Sequence, residues 1–256
     1  RTFHCGVTPI KKSYSVDFVQ GKKGGHFFRG LQKCASAWVC PICAGKIAKV
    51  RSERIESALE EYQKLGYEVY FLTLTLNHYK AESLEENLKV LIRGFNRGMG
   101  NRGVTALKKE HRIEYIRALE ITYGSNGFHP HLHCVYVMKP EIKEEFFDYF
   151  KHSWIQHLKG NGKNAESERS FKVETWDKKA DTLAKYMSKH PEIKMDSKEI
   201  EDNVKRWTVG SELSKGQQKK PKTGGFSPFQ ILEVLATGDI TDWEKRVGTD
   251  VDPESV

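Results

Sequence analysis

No apolar run in this chain approaches the length of a membrane span, and no signal peptide is visible at its start. No segment of this sequence is then long and apolar enough to cross a membrane as a helix. No internal repeat is visible, which excludes a repeat architecture. Cysteine is scarce and odd in number: Cys5, Cys34, Cys40, Cys43 and Cys134. An odd count argues against a disulfide framework. Three of them lie within ten residues, which reads more readily as metal binding in a reducing cytoplasm. The first residue is Arg1 rather than Met, as expected of a trimmed or partial chain.

What is present is enough for one large domain or two small ones, 256 residues in all. With 38% hydrophobic residues, 13 Phe and 5 Trp, the chain can build a real core. Its net charge of +8 favours an anionic partner, most commonly nucleic acid, although charge alone decides little.

The pattern along the chain predicts a small β-rich head over residues 1–43, with two short strands around a turn at Gly21 to Gly25. Residues 44–64 read as a helix with a basic first half, Lys46, Lys49, Arg51 and Arg54. "YEVYFLTLTL", 67–76, is apolar on both faces, as for a strand in the middle of a sheet. Ser83 and Glu86 form a capping-box pattern for a helix to about Phe95, and "NRGMGNRG", 96–103, reads as a loop. "EYIRALEITY", 114–123, alternates like a strand and leads through "GSNG" to "FHPHLHCVYV". Pro140 opens a helix with Ile142, Phe146, Phe147, Phe150, Trp154 and Leu158 on its apolar side. A strand is predicted near 170–176, a helix over 177–190, a polar, mobile basic stretch over 193–225, and a helix capped by Ser227 and ended by Gly238. A last short helix holds Trp243, and the tail beyond 247 is expected to be disordered.

His129, His131 and His133 stand two apart, and on a strand they share a face. Neutral imidazole ligates transition metals, and two at i and i+2 can grip one ion. If "GSNG" is a four-residue turn, Tyr123 pairs with Phe128, Thr122 with His129, Glu120 with His131, and Ala118 with His133. Glu120 would then stand beside the histidines. Two imidazoles and a carboxylate with open positions suit a catalytic divalent ion better than a structural one.

In "DKKADTLAKYMSKH", Ala180, Leu183, Ala184 and Met187 form the buried stripe, and Tyr186 sits off it with Thr182 and Lys189 on its side. Taken alone, this reads as an ordinary amphipathic helix with a rim tyrosine. The spacing Cys34-x5-Cys40-x2-Cys43 leading into a helix is a zinc-knuckle arrangement. Cys5 is the natural fourth ligand, and His4 and His26 are alternatives. Such a site is structural, stabilising a head too small to fold on its own core. Cys134 reads as a core residue.

Together these parts resemble the rolling-circle replication initiators, or Rep proteins, of small Gram-positive bacterial plasmids, within the HUH endonuclease superfamily. "FLTLTLN", 71–77, resembles the first motif. "HPHLH", 129–133, resembles the histidine–hydrophobe–histidine motif, and "YMSK", 186–189, the tyrosine motif. "CPIC" is similar to the cysteine-rich start of many such proteins.

The resemblance implies an α+β fold with a central antiparallel sheet of about five strands and flanking helices. It implies a Mg²⁺ or Mn²⁺ ion on His131, His133 and Glu120, and structural Zn²⁺ on Cys5, Cys34, Cys40 and Cys43. Tyr186 is then the nucleophile toward single-stranded DNA at a plasmid origin hairpin, giving a 5′-phosphotyrosine, with Lys189 orienting the tyrosine or the phosphate. The family's usual glutamate four residues before the tyrosine is Thr182 here, which puts a water-based termination step in doubt; Asp181 and Glu192 are the nearby acids.

The expected organisation is a zinc-binding head (1–43), a nicking domain (44–210) and a basic loop with C-terminal helices (211–256). The setting is the bacterial cytoplasm. A host helicase and further copies of the chain are the other partners considered, with no membrane partner. "NRGMGNRG", the basic half of the 44–64 helix and "KGQQKKPK" are the expected phosphate binders. Three rival readings are a single-tyrosine relaxase or transposase, a non-enzymatic zinc-dependent DNA-binding regulator, and a metal-dependent hydrolase of small molecules.

Overall fold

The structure is a computed structural model, and it describes residues 2–11, 15–21, 24–37, 39–124, 126–165, 167–176 and 225–238. The expected helix over 177–190, the basic stretch to 224, the short helix at Trp243 and the tail beyond 247 lie outside them. The chain divides into two compact units, residues 1–51 and 52–256.

In the first unit, β1 (Asp17–Gln20) and β2 (His26–Arg29) form an antiparallel ribbon with Phe18 opposite Phe28. Gly24 takes φ +86° in its turn, a conformation that favours glycine. Pro41 opens α1 (Pro41–Lys64), whose first turns belong to this unit.

The second unit is built on a sheet of order β4-β5-β3-β6, antiparallel at every junction: β3 (Glu68–Thr75), β4 (Glu114–Gly124), β5 (Gly127–Met138) and β6 (Phe171–Trp176). The fold is therefore α+β with an antiparallel sheet. Where about five strands were expected, the described residues contribute four. β3 lies between β5 and β6, which explains why it is apolar on both faces.

Strand alternation sends Tyr70, Leu72, Leu74, Leu132, Cys134 and Tyr136 into one core. The helices α2 (Leu84–Met99), α3 (Arg102–Glu110) and α4 (Lys143–Gly160) contribute to it Leu91, Phe95, Val104, Phe146, Phe150 and Trp154. The opposite face carries Val69, Val135, Val137 and Trp176, packed with Leu59 of α1. The short α5 (Ser167–Ser170) leads into β6. The last described helix, α6 (Pro228–Thr237), is closed by a capping box between Ser227 and Gln230 and ends at Gly238 with φ 67°. Just before it, Phe226 exchanges both backbone hydrogen bonds with Tyr123, so this segment docks on the β4–β5 hairpin.

Two expectations are corrected. "NRGMGNRG" is not a loop: Asn96–Met99 complete α2, and Arg102 begins α3 under an Asn101 cap that accepts from Gly103 N at 2.8 Å. The glycines there serve packing. A Cβ at Gly98 would come within 2.5 Å of the Phe150 ring, and one at Gly103 would meet Tyr149. Ser83 does precede α2, but its hydroxyl makes no capping bond.

Candidate functional site

Two side-chain clusters stand out, one in each unit. In the first unit the Sγ atoms of Cys5, Cys34, Cys40 and Cys43 lie within 4.8 Å of one another. Cys5 and Cys43 are 3.3 Å apart, and Cys34 and Cys43 are 3.7 Å apart. These are not disulfide distances, and all four are free thiols. Sulfurs around a tetrahedral zinc, with bonds of about 2.3 Å, stand about 3.8 Å apart, so the set fits such an ion.

Backbone amides point at three of the sulfurs. Ser36 N donates to Cys34 Sγ at 3.4 Å, Cys34 N to Cys5 Sγ at 3.4 Å, and Cys43 N to Cys40 Sγ at 3.5 Å. Ala35, at φ 56°, makes the turn that aims the Ser36 amide, and that bond pulls the Cys34 thiol down to about 7. The alternatives for the fourth position are engaged elsewhere. His4 Nδ1 is 3.0 Å from Thr8 Oγ1, and His26 stacks on Phe18. Cys134 is a core residue, its thiol raised to about 12 by burial.

The second cluster is the histidine strand. The observed register pairs Thr122 with His129, Glu120 with His131, and Ala118 with His133, as counted from a four-residue turn. Glu120 is buried and reaches diagonally: His133 Nε2 donates to its Oε2 at 2.8 Å. The other edge of the strand holds the rings. Thr73 and Thr75 of β3 stand opposite His133 and His131, and their hydroxyls lie 3.3 and 3.0 Å from the respective Nδ1 atoms. These threonines fix ring orientation, and sequence reasoning gave them no role, although their spacing in "FLTLTLN" puts them on the histidine face. Lys172, opposite Thr73 on β6 and ion-paired with Glu174 at 3.1 Å, lies on that face.

Glu120, His131 and His133 thus share one face, with Glu120 and His133 in direct contact. Their donor set, two imidazoles and a carboxylate, fits a divalent ion. Among the described residues, the four thiols are the ligand set already drawn together. Tyr186 and Lys189, with Asp181, Thr182 and Glu192, lie outside the described residues.

His129 has a different partner. Its Nδ1 lies 3.2 Å from His78 Nε2, with the rings nearly perpendicular. Burial, then the neighbouring His78, pushes His129 down to about 4 against a partial pull from Glu120; burial also lowers His78. Both rings are neutral at pH 7, so one N–H can donate to the other's bare nitrogen. A histidine depressed in the folded state takes up protons mainly on unfolding, so its stability contribution is full above about pH 6.5 and is lost as pH falls toward about 4. Thermal unfolding across that window should show a midpoint falling with pH, and His129→Gln should flatten the fall. An unchanged slope in that variant would contradict this.

Comparison with known proteins follows the same line. The sequence model of the family described as "Replication protein" matches residues 27–220. The chain belongs to this family. The resemblance to Rep proteins drawn from the motifs is borne out. This family member is similar to "Protein rep" of Streptomyces lividans, 24% identical over 88% of the chain and 58% of that protein. It is also similar to "Protein rep" of a Bacillus species, 29% identical over 65% of the chain and 60% of that protein. A "Neomycin resistance protein" of Streptomyces cyanogenus is 30% identical over 47% of the chain and 33% of that protein. The chain therefore spans less than two thirds of the length of each of these relatives.

Proposed function

We propose that this replication protein initiates rolling-circle replication of a plasmid by nicking and rejoining one strand at the origin, as an HUH-type enzyme. The observation that carries the reading is the buried Glu120–His133 contact on a strand where His131 shares the same face beside Thr75. A non-enzymatic DNA-binding regulator would leave Glu120, the histidines and Tyr186 without a shared purpose.

His131, His133 and Glu120 would hold Mg²⁺ or Mn²⁺. A bound divalent ion would supply Lewis acidity toward the scissile phosphate. The tyrosine chemistry belongs to the chain. The Tyr186 phenolic oxygen, giving up its proton, forms a bond to phosphorus as the bond to the 3′-oxygen breaks. The 3′-oxygen takes up a proton and becomes the primer hydroxyl, and the 5′-phosphate stays on Tyr186. Lys189 steadies the phenolate or the phosphate by its charge. Attack by a 3′-hydroxyl in the reverse sense rejoins the strand. With Thr182 at the position four before the tyrosine, water has no evident carboxylate base there, so strand transfer is favoured over hydrolysis at termination. Cys5, Cys34, Cys40 and Cys43 would hold Zn²⁺ as a structural ion in a head over 1–43, followed by a nicking domain to 210 and a basic C-terminal segment.

The test is nicking of origin-bearing DNA in Mn²⁺. His131→Ala should lose about a hundredfold or more in nicking rate while DNA binding persists, because ligand loss removes metal rather than fold. Loss of DNA binding with nicking per bound complex intact would point instead to a binding regulator.

A further inference from the structure

The charge of the chain is unevenly placed. Residues 1–51 hold ten of the 42 Lys and Arg but one of the 34 Asp and Glu, so this unit alone carries the positive excess of the chain. On the same unit, one face of the β1–β2 ribbon is aromatic and open. Phe18 is 66% exposed and Phe28 is 59% exposed, and they face each other across the ribbon with ring centroids 5.3 Å apart. His26, on the same face and exposed, stacks on Phe18 at 5.2 Å with planes 7° apart. Exposed Arg29 and Lys33 follow directly in sequence. Large rings held in solvent, one pair of them stacked, on a unit of strongly positive charge, match a ligand with flat apolar faces and negative charge.

We propose that this ribbon is a stacking platform for single-stranded DNA, with bases laid on Phe18, Phe28 and His26 and phosphates attracted by the positive charge of the unit. Stacking is tolerant of sequence because every base offers a π-face, and the positive unit supplies the salt-dependent part of the affinity. The inference takes its DNA partner from the proposed function but needs none of its chemistry, and it places DNA on residues far in sequence from Tyr186.

The test uses the full zinc-loaded chain without added Mg²⁺ or Mn²⁺. Binding to a fluorescent single strand of about 20 nucleotides is followed by anisotropy at several salt concentrations. Phe18→Ala and Phe28→Ala should each weaken binding about tenfold, the double variant more, and Phe18→Tyr little. The salt slope should not change, because no cation is removed. Zinc content checks that each variant keeps its fold. Wild-type affinity in the double alanine variant with zinc intact would overturn the proposal. So would alanine variants that lose only binding to anionic vesicles or only self-association. Failure of the nicking reading gives a different result: no covalent adduct, with this binding and its dependence on Phe18 unchanged.

Discussion

Cys43→Ser is expected to strip the metal from residues 1–51 and unfold that unit. Among its described residues the buried apolar set is Cys5, Cys40, Cys43, Ala44 and Ala48: three thiols and two methyl groups. No larger aliphatic or aromatic side chain among those described residues is buried, and Phe3, Val7, Phe18, Phe28 and Ile42 are exposed. Such a unit gains little from hydrophobic burial. On the proposed reading, its stability would come from an ion that ties Cys5 to the Cys34–Cys43 segment. Structural zinc sites contribute on the order of 10–16 kcal/mol of apparent binding energy, and this energy is folding energy. Elemental analysis of the wild type should give one zinc per chain and of Cys43→Ser none. Limited proteolysis should then cut the variant within 1–51 and spare the sheet of the second unit. A wild type that carries no metal, or a variant that resists cleavage in the head, would contradict this account.

The second large effect lies behind the sheet. Trp154→Ala should cost about 3–5 kcal/mol, the usual range for deleting a fully buried tryptophan. Trp154 is 0% exposed and packs where α2 presents Gly94. Its indole N–H is buried without a hydrogen-bond partner among the described residues, so the side chain is there for shape rather than polarity. A Cβ at Gly94 would stand 2.5 Å from Trp154 Cζ3 and 2.8 Å from His157 Cδ2. Gly94→Ala alone should therefore destabilise by about 1–3 kcal/mol through overpacking. In the Trp154→Ala background most of that clash disappears, while alanine gains about 1 kcal/mol over glycine in a helix interior. The double variant should be more stable than the sum of the single effects by about 1 kcal/mol or more. Urea unfolding of the four proteins measures this coupling. Strict additivity would mean that Gly94 and Trp154 do not share the space the structure gives them.

These glycines also show where sequence reasoning stopped. Gly98 and Gly103 look like turn formers in a sequence, and "NRGMGNRG" was read as a loop. What they meet is a set of rings 50 or so residues away on α4, and no local pattern encodes that distance. The capping signal at Ser83 failed while the one at Ser227 held, because a capping motif fixes where a helix starts but not whether the side chain closes the bond. The sheet was more legible. Alternation placed β4, apolarity on both faces placed β3, a strand was expected near 170–176, and a four-residue turn is enough to number every pair along the β4–β5 hairpin. That register put Glu120 opposite His131, yet its hydrogen bond goes to His133, one diagonal step that strand counting does not resolve. Thr73 and Thr75 were visible within a motif but had no assigned task until β3 was seen beside β5. His78 gave no signal at all: a single histidine in a connecting segment, paired with His129 only through the fold.

The most direct test of the central claim is the site of covalent attachment. The chain would be incubated with Mn²⁺ and single-stranded DNA carrying candidate plasmid origins, run on a denaturing gel, and the labelled peptide sequenced. The account predicts a 5′-phosphotyrosine on the Tyr186 peptide, absent in Tyr186→Phe. An adduct on another tyrosine, or cleavage of cognate origin DNA with no protein attached, would contradict it.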